Sequence, residues 1–173
     1  MLKTELKIRV SGAPCLRVKS KPVTAVGPDR RMLITRMIDV MHAEQGIGLA
    51  APQVGINERI IVADIGEGPF AMVNPTVIKK SGSDVMEEGC LSVPGVTVNV
   101  KRAQRITVRY MDENNNPMER EYIDLTARVI LHEIDHLDGK LIIDYAGWRQ
   151  KWKFRHQLAA LRQQANAIPE TAG

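Results

Sequence analysis

Of the four histidines in this 173-residue chain, two stand four positions apart. They are His132 and His136 in the stretch ILHEIDHLDG, with Glu133 beside the first. On a helix, positions i and i+4 share a face about one turn apart. Both imidazoles can then turn a ring nitrogen toward one metal ion, with Glu133 nearby and not forced to ligate it. This is the H-E-x-x-H arrangement of metal hydrolases. With this composition, roughly one shuffled sequence in 200 would show it. The competing explanation is a helix that merely displays two histidines. Leu125, Val129, His132, Glu133, His136 and Leu137 fall broadly on one side of the helix, however, and imidazoles among positions that want burial need partners.

A catalytic site of this kind uses three protein ligands and keeps a fourth position for water. Downstream of His136 the candidates are Asp138, Asp144, His156 and Glu170. Asp138 is too close, at the helix end, and Asp144 and His156 fit no familiar spacing. Upstream, Cys90 stands in EEGCLSVPG, bracketed by Gly89 and Pro94 on a tightly shaped segment. A lone buried cysteine is usually just a small hydrophobe, so spacing alone leaves the third ligand open.

The elements that must position these residues can be read from periodicity. Leu33, Met37, Val40, Met41 and Glu44 predict an N-terminal helix capped by Asp29 and stopped by Gly46; His42 on it is structural or exposed. GIGLAAPQVG (46–55) is a poor helix and an odd strand. RIIVADI (59–65), FAMVNPTVI (70–78, interrupted at Pro75), GVTVNVKR (95–102) and RITVRYMD (105–112) read as strands. ENNNP turns the chain into MEREYIDL (118–125) as a hairpin. A helix is predicted over 126–138, capped by Thr126 and closed by Gly139, and a last one over 147–166. The expected fold is α+β: mostly antiparallel sheets around the central HExxH helix, with an N-terminal and a C-terminal helix, in a single domain spanning 1–173.

The totals exclude several classes. The apolar fraction of 44% and charged fraction of 25% are those of a globular domain. A net charge of +4 is too small to argue for DNA binding. Two cysteines, Cys15 and Cys90, without C-x-x-C spacing give no disulfide framework and favour a reducing compartment. The N-terminus has no apolar core of a signal peptide, and no run of about 18 apolar residues exists to span a membrane. A cytoplasmic protein is expected.

Three stretches then converge. GIGLAAPQ (46–53), EGCLS (88–92) and HEIDH (132–136) occur in this order and together resemble the three signature motifs of the peptide deformylases, a resemblance covering roughly residues 8–145. It implies that Cys90, His132 and His136 hold one divalent metal ion. Site softness alone favours zinc; the family implies Fe2+ in the cell, with Zn2+, Ni2+ or Co2+ in purified samples. It implies that Glu133 is the general base and acid as a metal-bound water attacks the formyl carbon of N-formylmethionyl nascent peptides. Gln53, through its side-chain amide, and Leu91, through its backbone N–H, would stabilise the oxyanion. Without the resemblance, Gln53 would pass for a surface loop residue. Gly46, Ile47 and Gly48 would lie beside the extended peptide. Ile47, Leu125, Val129 and the His132 ring would wall the methionine pocket.

Three positions depart from the family pattern. Leu131 stands where Gln is common, and Asp124 and Thr126 flank Leu125 where the helix often starts Gly-Leu. These departures are expected to touch the site's surroundings or the substrate pocket. Rival readings are another metal-dependent amidase with a different third ligand, and a non-catalytic metal module. Cys90→Ala separates the first, and Glu133→Ala the second.

Four of the seven aromatic residues lie between Tyr145 and Phe154. Arg149, Lys151, Lys153, Arg155 and Arg162 crowd the same segment. The plain expectation is a helix docked by Trp148 and Trp152 with a basic solvated face. The sharper one, implied by the resemblance, is contact with the ribosome. The closing residues AIPETAG look frayed.

Overall fold

Alternation sets the strands. In the computed structural model, which describes residues 6–167, β5 (Val98–Arg102) buries Val98, Val100 and Arg102 and exposes the two residues between. β6 (Arg105–Met111) buries Ile106, Val108 and Tyr110. β6 pairs antiparallel with β7 (Pro117–Ile123), from Arg105↔Ile123 to Met111↔Pro117. The turn between them holds Asn115 at φ 67°. Its amide accepts from the Val26 N–H at 2.7 Å and donates to the Val26 carbonyl at 3.1 Å, pinning the N-terminal segment to the hairpin.

β3 (Phe70–Ser81) does not stop at Pro75. Register shifts either side of Thr76 and Val77 absorb the proline as an irregularity, and the strand continues. With β1 (Gly48–Ala50) and β2 (Ile60–Ala63) it completes an antiparallel sheet in the order β1-β2-β3-β6-β7. GIGLAAPQVG is thus a short strand followed by a 3-10 turn over Ala51–Val54, closed by Gly55 at φ 84°. β4 (Asp84–Glu88), which the sequence does not announce, pairs with β5 as a separate hairpin. Only Glu88 of β4 is buried, so there is no apolar alternation to read. β5 begins at Val98, not Gly95, because Val93 and Gly95 are spent on a turn.

α1 (Pro28–Ala43) starts at Pro28 behind Gly27, so Asp29 sits in the first turn instead of capping it. Proline at the first helical position gives up an N–H that had no partner, and an acidic first turn complements the helix dipole. α1 buries Leu33, Ile34, Met37 and Met41 against β1 and β2. His42 stays half exposed, 3.0 Å from Asp64.

α2 (Asp124–Leu137) starts two residues before the expected Thr126. The chain turns into it through Asp124 at φ 49° and a bond from its N–H to the Gln104 carbonyl at 2.7 Å, with no side-chain cap. It ends as expected at Gly139 (φ 73°), where the Lys140 N–H returns to the Asp135 carbonyl at 2.8 Å. Ala127, Ile130, Leu131 and Leu137 pack on Ile61, Met72, Ile106 and Val108 of the large sheet.

The predicted last helix is two, α3 (Trp148–Lys153) and α4 (Arg155–Ala167), broken at Phe154. Docking by tryptophan is overturned: Trp148 and Trp152 are 75% and 65% exposed. Their rings lie under Arg149 and Arg155. The segment docks through Leu161 and Ala165, four apart on α4, which pack with Val10, Val93 and Leu141. Gly12 permits the approach, since a β carbon there would lie 2.7 Å from the Arg162 Cα. Of the AIPETAG stretch (167–173) expected to fray, Ala167 ends α4 and the rest lies outside the described residues. Among those, no helix is long and apolar enough to cross a membrane.

Candidate metal centre and its cavity

Three chain segments meet where the large sheet, the β4–β5 hairpin and α2 converge. α2 presents His132, Glu133 and His136. The turn after β4 presents Cys90 and Leu91, and the chain through β1 into the 3-10 turn brings Gly46 to Gln53. One ligand atom each from Cys90, His132 and His136 lies within 4.8 Å of the others. Cys90 Sγ is 3.2 Å from His136 Nε2, which is 3.2 Å from His132 Nε2. One sulfur and two nitrogens converging at these distances match a thiolate–imidazole metal site in donor type and number. The opposite nitrogen of His132, Nδ1, is held by Glu88 Oε2 at 2.9 Å. That partner fixes the ring and leaves Nε2 to face the other two donors.

A cavity of about 420 Å³ opens beside these atoms. Gln53 lines it and is 1% exposed, so it is no surface residue. Its Oε1 accepts from the Ala50 N–H at 2.8 Å. That fixes the amide so that Nε2 faces Ser92 Oγ at 3.2 Å and Cys90 Sγ at 3.7 Å. Leu91, Gly46, Ile47 and Gly48 also line the cavity, and so do Leu125 and Val129. Ile47 and Leu125 are half exposed, while Val129 is buried. The glycines have a steric reason: a β carbon on Gly46 would lie 2.8 Å from Leu91 Cδ1, and one on Gly48 would strike the Glu133 carboxylate and come within 2.8 Å of Val129 Cγ1.

Burial pushes the Glu133 carboxyl up to about 7. Its Oε2 is buried with no hydrogen-bond partner among the described residues. A carboxyl poised near neutrality and not tied to the protein can take up and release a proton. Burial also drives the His136 ring well below the usual histidine range, keeping it neutral, the form that ligates metal. For His132, burial opposes charge, but Cys90 and Glu88 outweigh it and raise the ring to about 10. For Glu88, burial is outweighed by His132 and Arg102, which hold its carboxyl down at about 2.

Glu88 anchors a network that sequence reading missed. Arg102 grips both its oxygens, at 2.6 and 2.8 Å, and reaches Asp135 at 2.8 Å. Arg128 adds a bond to Glu88 at 2.7 Å, and Tyr145 donates to Asp135 at 2.8 Å. One signal was available: Arg102 sits at the third inward position of an alternating strand, where an unpaired charge would be prohibitive.

The sequence matches the polypeptide deformylase family model over residues 5–152. The chain belongs to the peptide deformylase family. A peptide deformylase from Halothermothrix orenii is 47% identical over 141 residues, covering 80% of this chain and 92% of that protein. One from Pseudothermotoga lettingae is 44% identical over 160 residues, covering 92% and 93%. The peptide deformylase structure from Thermus thermophilus superposes with a TM-score of 0.87 at 35% identity, over 91% of this chain and 98% of that one. A structure from Ehrlichia chaffeensis, in complex with actinonin, gives 0.85 at 35% identity over 92% and 96%. The antiparallel α+β architecture is that of this family of hydrolases.

Within the peptide deformylase frame, the three departures take on physical meaning, and none of them lines the cavity. Leu131 is the neighbour of His132, about 100° round the helix, and packs into the core beneath the sheet. Asp124 occupies a left-handed position that glycine takes without strain. Thr126 is simply the third residue of a helix that began earlier.

Proposed function

We propose that this chain hydrolyses the formyl amide at the N-terminal methionine of nascent peptides, with one divalent metal held by Cys90, His132 and His136. The observation that carries the reading is the convergence of those three donors within 4.8 Å beside the buried, raised carboxyl of Glu133. When bound, the metal supplies Lewis acidity that makes water nucleophilic at neutral pH. Fe2+ is the natural ion in this reading, with Zn2+, Ni2+ or Co2+ as replacements.

The remaining steps belong to the chain. Glu133 takes a proton from the attacking water and holds it at its carboxylate. As the water oxygen bonds to the formyl carbon, the carbonyl oxygen gains charge. The Gln53 Nε2–H and the Leu91 N–H donate to it. Gln53 is ready for this because its Oε1 is already held by Ala50. The carbon–nitrogen bond then breaks, Glu133 delivers its proton to the amine, and formate and a free methionyl N-terminus leave. Gly46 and Gly48 let an extended peptide approach the backbone, with Ile47, Leu125 and Val129 around its first side chain. The basic, tryptophan-bearing α3 would meet the ribosome, which supplies such chains; DNA is not a partner in this reading, and the cytoplasm is the compartment.

Metal content tests the ligand set. Cys90→Ala and His132→Ala should lose the metal, whereas Glu133→Ala should keep it and the fold while losing turnover. Full metal retention in Cys90→Ala would refute the assignment.

A further inference from the structure

α2 carries a buried cation that the reading above does not use. Arg128 stands one turn before His132 and is 6% exposed. Its guanidinium leaves the helix and crosses to the β4–β5 hairpin. Nη1 donates to Glu88 Oε1 at 2.7 Å and to the Val100 carbonyl at 2.9 Å, and Nη2 donates to the Asp84 carbonyl at 3.0 Å. Asp84 and Glu88 are the two ends of β4, and Val100 is the middle of β5. One side chain therefore grips the hairpin along its length.

We propose that Arg128 is a positioning residue for the metal centre, fixing the hairpin against α2 and, through Glu88, the ring plane of His132. The inference rests on the assignment of Cys90, His132 and His136 as ligands. Arg102 alone does not do this work. It belongs to the same hairpin as Glu88, so its grip on that carboxylate moves with the hairpin. Among the described residues, its side chain bonds to α2 at Asp135, at 2.8 Å. Arg102 thus ties hairpin to helix near one end of α2, and Arg128 ties helix to hairpin two turns earlier. His132 lies between the two anchors. Core packing of Val98 and Val100 holds the inner face of the hairpin, and the two arginines add polar ties to α2 on either side of His132. With Arg128 removed, the Glu88 carboxylate loses the one guanidinium that α2 itself sends to it, and the 2.9 Å contact to His132 Nδ1 is less firmly fixed relative to the helix. Lysine cannot replace it fully, since a single ammonium cannot span the carboxylate and two carbonyls that the planar fork reaches together.

The test uses Arg128→Met and Arg128→Lys beside the wild type. Zinc dissociation constants are measured by chelator competition, and the visible absorption of the cobalt-loaded proteins is recorded, at a temperature where circular dichroism shows each metal-free protein folded. Arg128→Met should still bind one metal per chain, roughly 10- to 100-fold more weakly, with shifted cobalt bands. Arg128→Lys should fall between the two. A purely structural arginine would lower the melting temperature and leave both metal readouts at wild-type values, and that result overturns the proposal. If Arg128→Met does not fold, Arg128→Lys decides, and wild-type affinity and spectrum there are equally fatal. Wild-type protein that binds no metal would instead overturn the ligand assignment on which the inference rests.

Discussion

Gly48 and Glu133 face each other so closely that no side chain fits between them. A β carbon on Gly48 would collide with the Glu133 carboxylate and lie 2.8 Å from Val129. Gly48→Ala should therefore displace the proposed general base without touching a metal donor. A misplacement of about 1 Å is worth up to roughly 100-fold in rate. The expected result is a fall in kcat of at least tenfold with metal content unchanged, read by steady-state kinetics and elemental analysis. An unchanged kcat would mean that Glu133 is not positioned through this contact.

Asp124 enters α2 at φ 49°. A β carbon in the left-handed region costs about 1–2 kcal/mol, and aspartate is tolerated there better than most residues. Asp124→Ala should lose about 1 kcal/mol, roughly 2–4 °C in melting temperature for a chain of this size. Asp124→Gly should match or exceed the wild type. Equal losses in both variants would shift the explanation from backbone strain to the lost carboxylate.

Stability of the metal-free protein should depend on pH in a defined way. His132 is raised from 6.5 to about 10, so its contribution is full below about 6.5 and is lost as pH rises toward 10. Glu133 is raised from 4.5 to about 7. The folded state therefore binds the extra proton, and stability also declines as pH climbs through that interval. Glu88 is lowered from 4.5 to about 2, so its contribution is present above about 4.5 and is lost as pH falls toward 2. Melting temperatures of chelator-treated protein should thus fall between pH 7 and 10. Metal-loaded protein should resist the His132 part of that fall, because the metal displaces its proton. Parallel curves with and without metal would contradict the assignment of His132 as a ligand.

The α3–α4 segment separates two kinds of apolar residue. Leu161→Ala should destabilise by about 2–5 kcal/mol, since Leu161 is buried. Trp148→Ala and Trp152→Ala should change stability by less than about 0.5 kcal/mol. Chemical denaturation measures all three, and a large loss at either tryptophan would restore the docking role that the structure denies it.

How much was legible can be followed residue by residue. His132, Glu133 and His136 were readable because helical spacing places them together without any tertiary information. Cys90 and Gln53 come from segments that meet α2 only after the sheet and hairpin form, so they were found by resemblance and not by periodicity. Strands β5 and β6 follow alternation because each has one buried face; β2 reads as a short continuous apolar run because it is buried throughout, and β7, with no fully buried residue, was found through the turn that precedes it. β4 was invisible because only Glu88 of its five residues is buried. The Glu88–Arg102–Arg128 cluster was missed for the same reason: charged residues read as surface until their partners are known. The tryptophans misled in the opposite direction, because large apolar rings suggest burial while their short helix turns them to solvent.

The most direct test of the central claim is formate release from formyl-Met-Ala-Ser against acetyl-Met-Ala-Ser. Wild type and Glu133→Ala would be prepared anaerobically with iron, or loaded with nickel. The account predicts rapid formate release by the wild type, little cleavage of the acetyl peptide, and a loss of at least 100-fold in Glu133→Ala. No formate from metal-loaded wild type, or undiminished turnover by Glu133→Ala, would contradict it.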